Sequence, residues 1–219
     1  MYGYPVFVDL SGKKCLVVGG GPVAERKVRS LLECGARVMV VSPEITAGLK
    51  SLADDGKIMY RRGYYAPSDL EGVFLVIGSA GREEVNRRVA DDCAGRNILV
   101  NIVDDPAKGN FFVPAVVRRG ALAIAVSTGG KSPLLARKIR EELEKAYGPQ
   151  YGEFLDMLGS MRDEVLRSVE DEARKRKILE CLVDDTVMGY LKEGRLDLAK
   201  ERMLSAYPGS GSQPQNGSC

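Results

Sequence analysis

The stretch Val17-Val18-Gly19-Gly20-Gly21-Pro22-Val23-Ala24 decides how this chain is read. It fits G-x-G-x-x-A at Gly19, Gly21 and Ala24. The run Lys14 to Val18 leads into it, and apolar residues at 24, 28, 31 and 32 follow at helical spacing. A strand that passes into a helix through such a turn is the setting a dinucleotide motif requires. Each position has a physical task. Gly19 permits the tight turn, Gly21 leaves the backbone bare for a pyrophosphate, and Ala24 lets helix and strand pack closely. Pro22 suits the first helical turn, where its missing N–H would be unpaired anyway. The other N–H groups of that turn, with the partial positive charge of the helix start, favour phosphate. Gly19, Gly21, Pro22, Val23 and Ala24 are therefore candidate cofactor contacts.

The flanking sequence supports this. Gly35 stands where a helix stops. Arg37 to Val41 is strand-like and ends at Ser42-Pro43. A helix over Ile45 to Asp54, strands over Lys57 to Arg61 and Val73 to Ile77, a helix over Glu83 to Ala94 and a strand over Ile98 to Val103 follow. Apolar strands about one helix apart imply an α/β domain of Rossmann type, with a parallel sheet covered on both faces. The second half of the fingerprint is incomplete. An acidic residue usually ends the second strand and binds the ribose 2′-OH. Ser42 stands there, followed by Pro43 and Glu44, which become the candidates for that contact. No arginine adjoins them in sequence, which favours NAD over NADP.

After Asp104-Asp105-Pro106 the rhythm changes. Phe111 to Val117 and Ala121 to Ser127 read as two strands, and Pro133 to Tyr147 as a helix. Helices are expected over Glu153 to Val169, Asp171 to Leu182, Thr186 to Lys192 and Leu196 to Ala206. Pro208 to Cys219 is nearly free of apolar residues and reads as a disordered tail.

Composition narrows the function classes. The 219 residues carry a formal net charge of +2, so nothing global points to nucleic acid. No histidine is present, so acid–base chemistry falls to Asp, Glu, Lys, Tyr or Cys. The five cysteines form no C-x-x-C pair and no zinc set, and read as thiols in a reducing compartment. No metal site is expected. No signal peptide and no apolar run long enough to span a bilayer are seen, so a cytoplasmic protein is expected.

Two further segments carry candidate chemistry. Asn101 to Pro106 falls at the carboxyl end of a parallel strand, where open α/β sheets bind ligands. Asn101 and Val103 are candidate cofactor contacts there, and Asp104 is a candidate general base. Asp-Asp-Pro is equally good turn chemistry. Thr128-Gly129-Gly130-Lys131-Ser132-Pro133 opens the next helix. Ser132 and Pro133 suit the N-cap and first helical positions, and Lys131 with Arg137 makes a local anion site. Ordinary capping with solvated basic side chains is the plainer reading.

Taken together, these segments resemble a known family. Tyr4 to Phe7, Cys15 to Lys27, Val40 to Pro43, Asn101 to Pro106, Phe111 to Pro114 and Val126 to Arg137 are similar, in this order, to the precorrin-2 dehydrogenases, the N-terminal module of siroheme synthases. The resemblance implies oxidation of precorrin-2 to sirohydrochlorin with NAD, and in some members insertion of ferrous iron. It implies a Rossmann domain over 1–110, a central dimerisation region over 111–148 and a small helical domain over 149–207. It implies an intertwined homodimer, an essential Asp104, NAD contacts at Gly21, Pro22, Val23, Pro43 and Glu44, and a carboxylate-binding role for Thr128, Lys131, Ser132 and Arg137. Two other readings stand beside it. A non-enzymatic NAD-sensing module would usually carry an acidic residue where Ser42 stands. A tetrapyrrole-binding scaffold without hydride transfer would not need the glycine turn.

Overall fold

The structure, a computed structural model, describes residues 3–103 and 105–207. Asp104 and the segment 208–219, read above as a disordered tail, lie outside the described residues. The chain divides into two compact units, residues 1–113 and 114–219.

The first unit is built on five parallel strands: β1 (Lys14–Val18), β2 (Arg37–Ser42), β3 (Met59–Arg62), β4 (Leu75–Gly78) and β5 (Leu99–Ile102). Their order in the sheet is β3-β2-β1-β4-β5. Parallel strands buried on both faces must be apolar along their whole length. β4 is buried at all four positions, and β1 at every position after Lys14. Helix α1 (Pro22–Glu33) and helix α2 (Ala47–Asp54) cover one face. There Ala24, Val28, Leu31 and Leu49 pack with Val17, Val38, Val40 and Ile77. Helix α3 (Glu83–Ala94) covers the other face, with Val89, Ala90 and Cys93 against Leu16, Val41, Val76 and Val100. The chain changes direction across the sheet between β1 and β4. That is the switch point where such folds form a ligand crevice.

The end of α1 shows how local sequence sets these boundaries. Gly35 takes φ +72°, which a side chain would disfavour. The Ala36 N–H then reaches the Leu31 carbonyl and the Gly35 N–H the Leu32 carbonyl. Ala36 and Leu31 bury themselves in the same apolar layer, completing a Schellman closure.

One expected strand is shorter than read. β6 begins at Ala115, not Phe111. The residues before it serve β5 instead. The Asn110 side chain accepts from the Val100 N–H and donates to the Ile98 carbonyl, while its backbone N–H reaches Val100. An asparagine thus closes the open edge of β5.

In the second unit, β6 (Ala115–Arg119) and β7 (Leu122–Val126) form an antiparallel pair. Five helices follow: α4 (Pro133–Ala146), α5 (Gln150–Ser168), α6 (Glu172–Cys181), α7 (Asp185–Lys192) and α8 (Leu196–Ala206). Phe154, Met161, Leu182, Val187, Leu191 and Met203 are at the centre of its core. Helix α5 starts three residues earlier than expected, at Gln150. Cys15, Cys34 and Cys93 are free thiols, whereas Cys181 is disulfide-bonded and departs from the expectation of thiols alone. Among the described residues no helix is long and apolar enough to cross a membrane.

Candidate functional site

The glycine turn sits at the switch point, and its neighbours account for each glycine separately. Gly19 has φ +129°, and a Cβ there would come within 2.5 Å of the Ser79 carbonyl oxygen. Ser79 is itself fixed, since both its N–H and its hydroxyl donate to the Val18 carbonyl. Gly20 faces the other way: a Cβ would collide with the Glu44 carbonyl oxygen. The Thr46 N–H also donates to the Gly20 carbonyl. The loop carrying Pro43 and Glu44 is therefore pressed against the turn. At Gly21 the situation reverses, because a Cβ would meet nothing within 4 Å among the described residues. The bareness of Gly21 is not required by the protein's own packing.

Helix α1 begins at this open position. Gly21 is its N-cap, Pro22 its first residue, and no side chain caps it. The N–H groups of Val23 and Ala24 have no hydrogen-bond partner among the described residues. Pro22 and Val23 are exposed and Ala24 is fully buried against the sheet. A pyrophosphate fits these residues: uncapped donors at a helix start, beside a backbone that can be approached.

Glu25 does not compete for that position. It accepts a hydrogen bond from the Thr46 hydroxyl at 2.6 Å and pairs with Arg29. These contacts, the Thr46 hydroxyl first, hold its carboxyl below the usual range. Thr46 in turn caps α2 by accepting from the Leu49 N–H. The start of α1 and the loop after β2 are thus tied together. Pro43 and Glu44 are exposed on that loop, beside the turn.

The carboxyl ends of β4 and β5 complete this face of the sheet. The Val103 N–H donates to the Gly78 carbonyl at 2.9 Å. Asn101 is buried and donates its side-chain amide to the Phe111 carbonyl, so its polar group is spent on the chain itself. Asp105 accepts from the Ala107 N–H, and Lys108 bridges Asp105 at 2.8 Å and Glu83 at 3.0 Å. The Lys108 bond to Asp105 lowers that carboxyl, and Asp105 and then Glu83 raise the lysine. Both neighbours of Asp104 are therefore held in place, while Asp104 itself is outside the described residues. Sequence reading missed Ser79 and Asn86. Asn86 clamps Ala80 from both sides, bonding its N–H and its carbonyl. The small-residue run Gly78-Ser79-Ala80-Gly81 after a buried strand was the available signal.

The candidates Thr128, Lys131, Ser132 and Arg137 belong to the second unit. Thr128 and Ser132 bond one another in both directions, and the Ser132 hydroxyl caps α4 through the Leu135 N–H. Arg137 pairs with Glu141 at 2.8 Å. Lys131 is exposed and makes no ion pair among the described residues.

Comparison with known proteins agrees with this geometry. Residues 6–115 match a family of NAD(P)-binding domains, and residues 119–146 match the central region of sirohaem biosynthesis proteins. A siroheme synthase of Chromobacterium violaceum is 37% identical over 209 residues, 95% of this chain and 44% of that protein. Siroheme synthase 3 of Aeromonas hydrophila is 39% identical over 185 residues, 84% of this chain and 40% of that one. The chain thus spans less than half the length of these two relatives. The solved structure of SirC, a precorrin-2 dehydrogenase, superposes with a TM-score of 0.74 at 30% identity, covering 91% of this chain and all of that one. With its dinucleotide turn, its central region and more than nine-tenths of its length matched in order, the chain belongs to the family of the precorrin-2 dehydrogenases and siroheme synthases.

Proposed function

We propose that this protein oxidises precorrin-2 to sirohydrochlorin with NAD, as a step toward siroheme. The observation that carries the proposal is the open turn at Gly21. Its donors are unspent, it lies at the switch point, and it belongs to a chain whose family includes a precorrin-2 dehydrogenase. Bound NAD would supply the hydride acceptor; the protein supplies orientation and proton handling. Val23 and Ala24 hold the pyrophosphate through their N–H groups, and Glu44 takes the ribose hydroxyl. Asp104 accepts the proton that leaves the macrocycle. Its two neighbours are held, Val103 on the Gly78 carbonyl and Asp105 on Lys108. Lys131 offers its free ammonium to a substrate carboxylate.

The protein acts as a homodimer joined through residues 111–148. Leu134 and Leu135 on α4 are 64% and 50% exposed, an apolar pair that a second copy would cover. The compartment is the cytoplasm; the free thiols at Cys15, Cys34 and Cys93 favour it and the disulfide at Cys181 counts against it.

The test is turnover. Purified protein with precorrin-2 and NAD⁺ should produce NADH and sirohydrochlorin. Asp104→Ala should lose about 10²–10⁴ in rate while binding NAD⁺ as before. Wild-type turnover in that variant would remove Asp104 from the mechanism. No NADH from the unaltered protein would leave the sensor or scaffold reading. Leu134→Asp with Leu135→Asp should give monomers in light scattering, and an unchanged mass would exclude α4 from the interface.

A further inference from the structure

We propose that Arg62 gives the cofactor site a second specificity, accepting the 2′-phosphate of NADP in addition to NAD. The inference rests on the dinucleotide reading above and extends it to the adenosine end.

Arg62 lies twenty positions from Ser42 in sequence, but the parallel pairing of β2 and β3 sets the two side by side. The register is anchored at that point. The Gly63 N–H donates to the Ser42 carbonyl at 3.1 Å, and the Tyr60 hydroxyl donates to the same carbonyl at 3.0 Å. Side chains alternate along a strand, so Arg62 leaves the sheet on the same face as Tyr60. Tyr60 packs in the layer formed by α1 and α2, the face on which the dinucleotide turn opens. Arg61 leaves on the opposite face and is fully engaged, with Asp69 and with the Tyr64 carbonyl. Arg62 has neither ion pair nor hydrogen bond among the described residues, and it is exposed. An arginine with a free guanidinium therefore stands at the end of the second strand's neighbour.

The position that usually carries an acidic residue against a 2′-phosphate has none. Ser42 occupies the usual acidic position, is 7% exposed, and turns its hydroxyl under Gly20. The nearest carboxylate on the loop is Glu44, two residues further on and exposed. The site thus offers an acceptor for a ribose hydroxyl at Glu44 and a planar cation for a phosphate at Arg62. Those are the two chemistries that separate NAD from NADP recognition.

The experiment is equilibrium binding of NAD⁺, NADP⁺, adenosine 2′,5′-bisphosphate and adenosine 5′-monophosphate to the full chain and to Arg62→Ala and Arg62→Lys. The unaltered protein should bind both dinucleotides. Arg62→Ala should weaken NADP⁺ and the bisphosphate by roughly ten- to a hundredfold, the worth of a lost charge-assisted bond, and change NAD⁺ and the monophosphate by less than about threefold. Arg62→Lys should retain part of the phosphate affinity, because it keeps the charge and loses the fork. Circular dichroism melting of each variant reports whether the fold is intact. NAD⁺ binding without NADP⁺ binding overturns the proposal and leaves the dinucleotide reading standing. An equal loss of both dinucleotides in an intact Arg62→Ala also overturns it. Binding of neither dinucleotide by the unaltered protein sinks both readings together.

Discussion

Two turns in this chain look alike in sequence and differ in chemistry. Gly19-Gly20-Gly21-Pro22 opens α1, and Gly129-Gly130-Lys131-Ser132-Pro133 opens α4. Each follows a strand and places proline in the first helical turn. At α4 most of the donors are consumed locally, the Leu134 N–H excepted. The Ser132 hydroxyl takes the Leu135 N–H, Thr128 takes the Ser132 N–H, and the Ser127 hydroxyl takes the Gly129 N–H. At α1 no side chain intervenes, and the Val23 and Ala24 N–H groups are left over. The difference separates a turn that stabilises its helix from one that saves its donors for a ligand. An anion at α4 must be held by Lys131 more than by backbone.

The largest effects should appear within the first turn. Gly21→Ala should fold normally, since the added methyl meets open space, yet lose about a hundredfold in NAD⁺ affinity as contacts to the pyrophosphate are displaced. Gly20→Ala should do the reverse at first order. Its methyl meets the Glu44 backbone, so unfolding free energy should fall by about 1–3 kcal/mol before cofactor binding is considered. Calorimetric binding and denaturant titration on the two variants separate ligand space from packing space. Equal NAD⁺ affinity in Gly21→Ala would break the distinction between the turns.

Smaller effects are expected at α4. Ser132→Ala should cost about 1 kcal/mol of stability and leave NAD⁺ binding unchanged. Lys131→Ala should weaken tetrapyrrole binding by no more than about fivefold with no change in stability. If Ser132→Ala instead weakens substrate binding and not stability, the capped turn is a ligand site after all.

The smallest effect concerns pH. Glu25 is held below its usual pKa by the Thr46 hydroxyl and by Arg29 in the folded chain. Its contribution is therefore present above the ordinary carboxylate range and is lost as pH falls through the depressed value. Glu25→Gln should flatten the acid side of the stability profile, and cofactor affinity should fall with it, because the bond ties α1 to the Pro43–Glu44 loop. Parallel profiles for the two proteins would remove that link.

Much of this was legible beforehand for local reasons. The strand–turn–helix at Gly19 and the stop at Gly35 follow from backbone conformations that few residues adopt. Ser132 and Pro133 took the positions their chemistry favours. Phe111 to Pro114 was misread because β propensity cannot tell a strand from a segment that patches another strand's edge. The patch depends on Asn110, whose side chain supplies the hydrogen bonds. Gly20 was passed over because the motif does not name it; only the loop lying against it explains the glycine.

Sequence alone determined the alternation of strands and helices, the dinucleotide turn and the family, because each depends on neighbours within a few residues or on patterns carried in order. Tertiary structure decided which N–H groups stay unspent and which distant side chains meet. Arg62 is set beside Ser42 only through the register of two parallel strands, and the openness of Gly21 among the described residues follows only from where its neighbours in space lie.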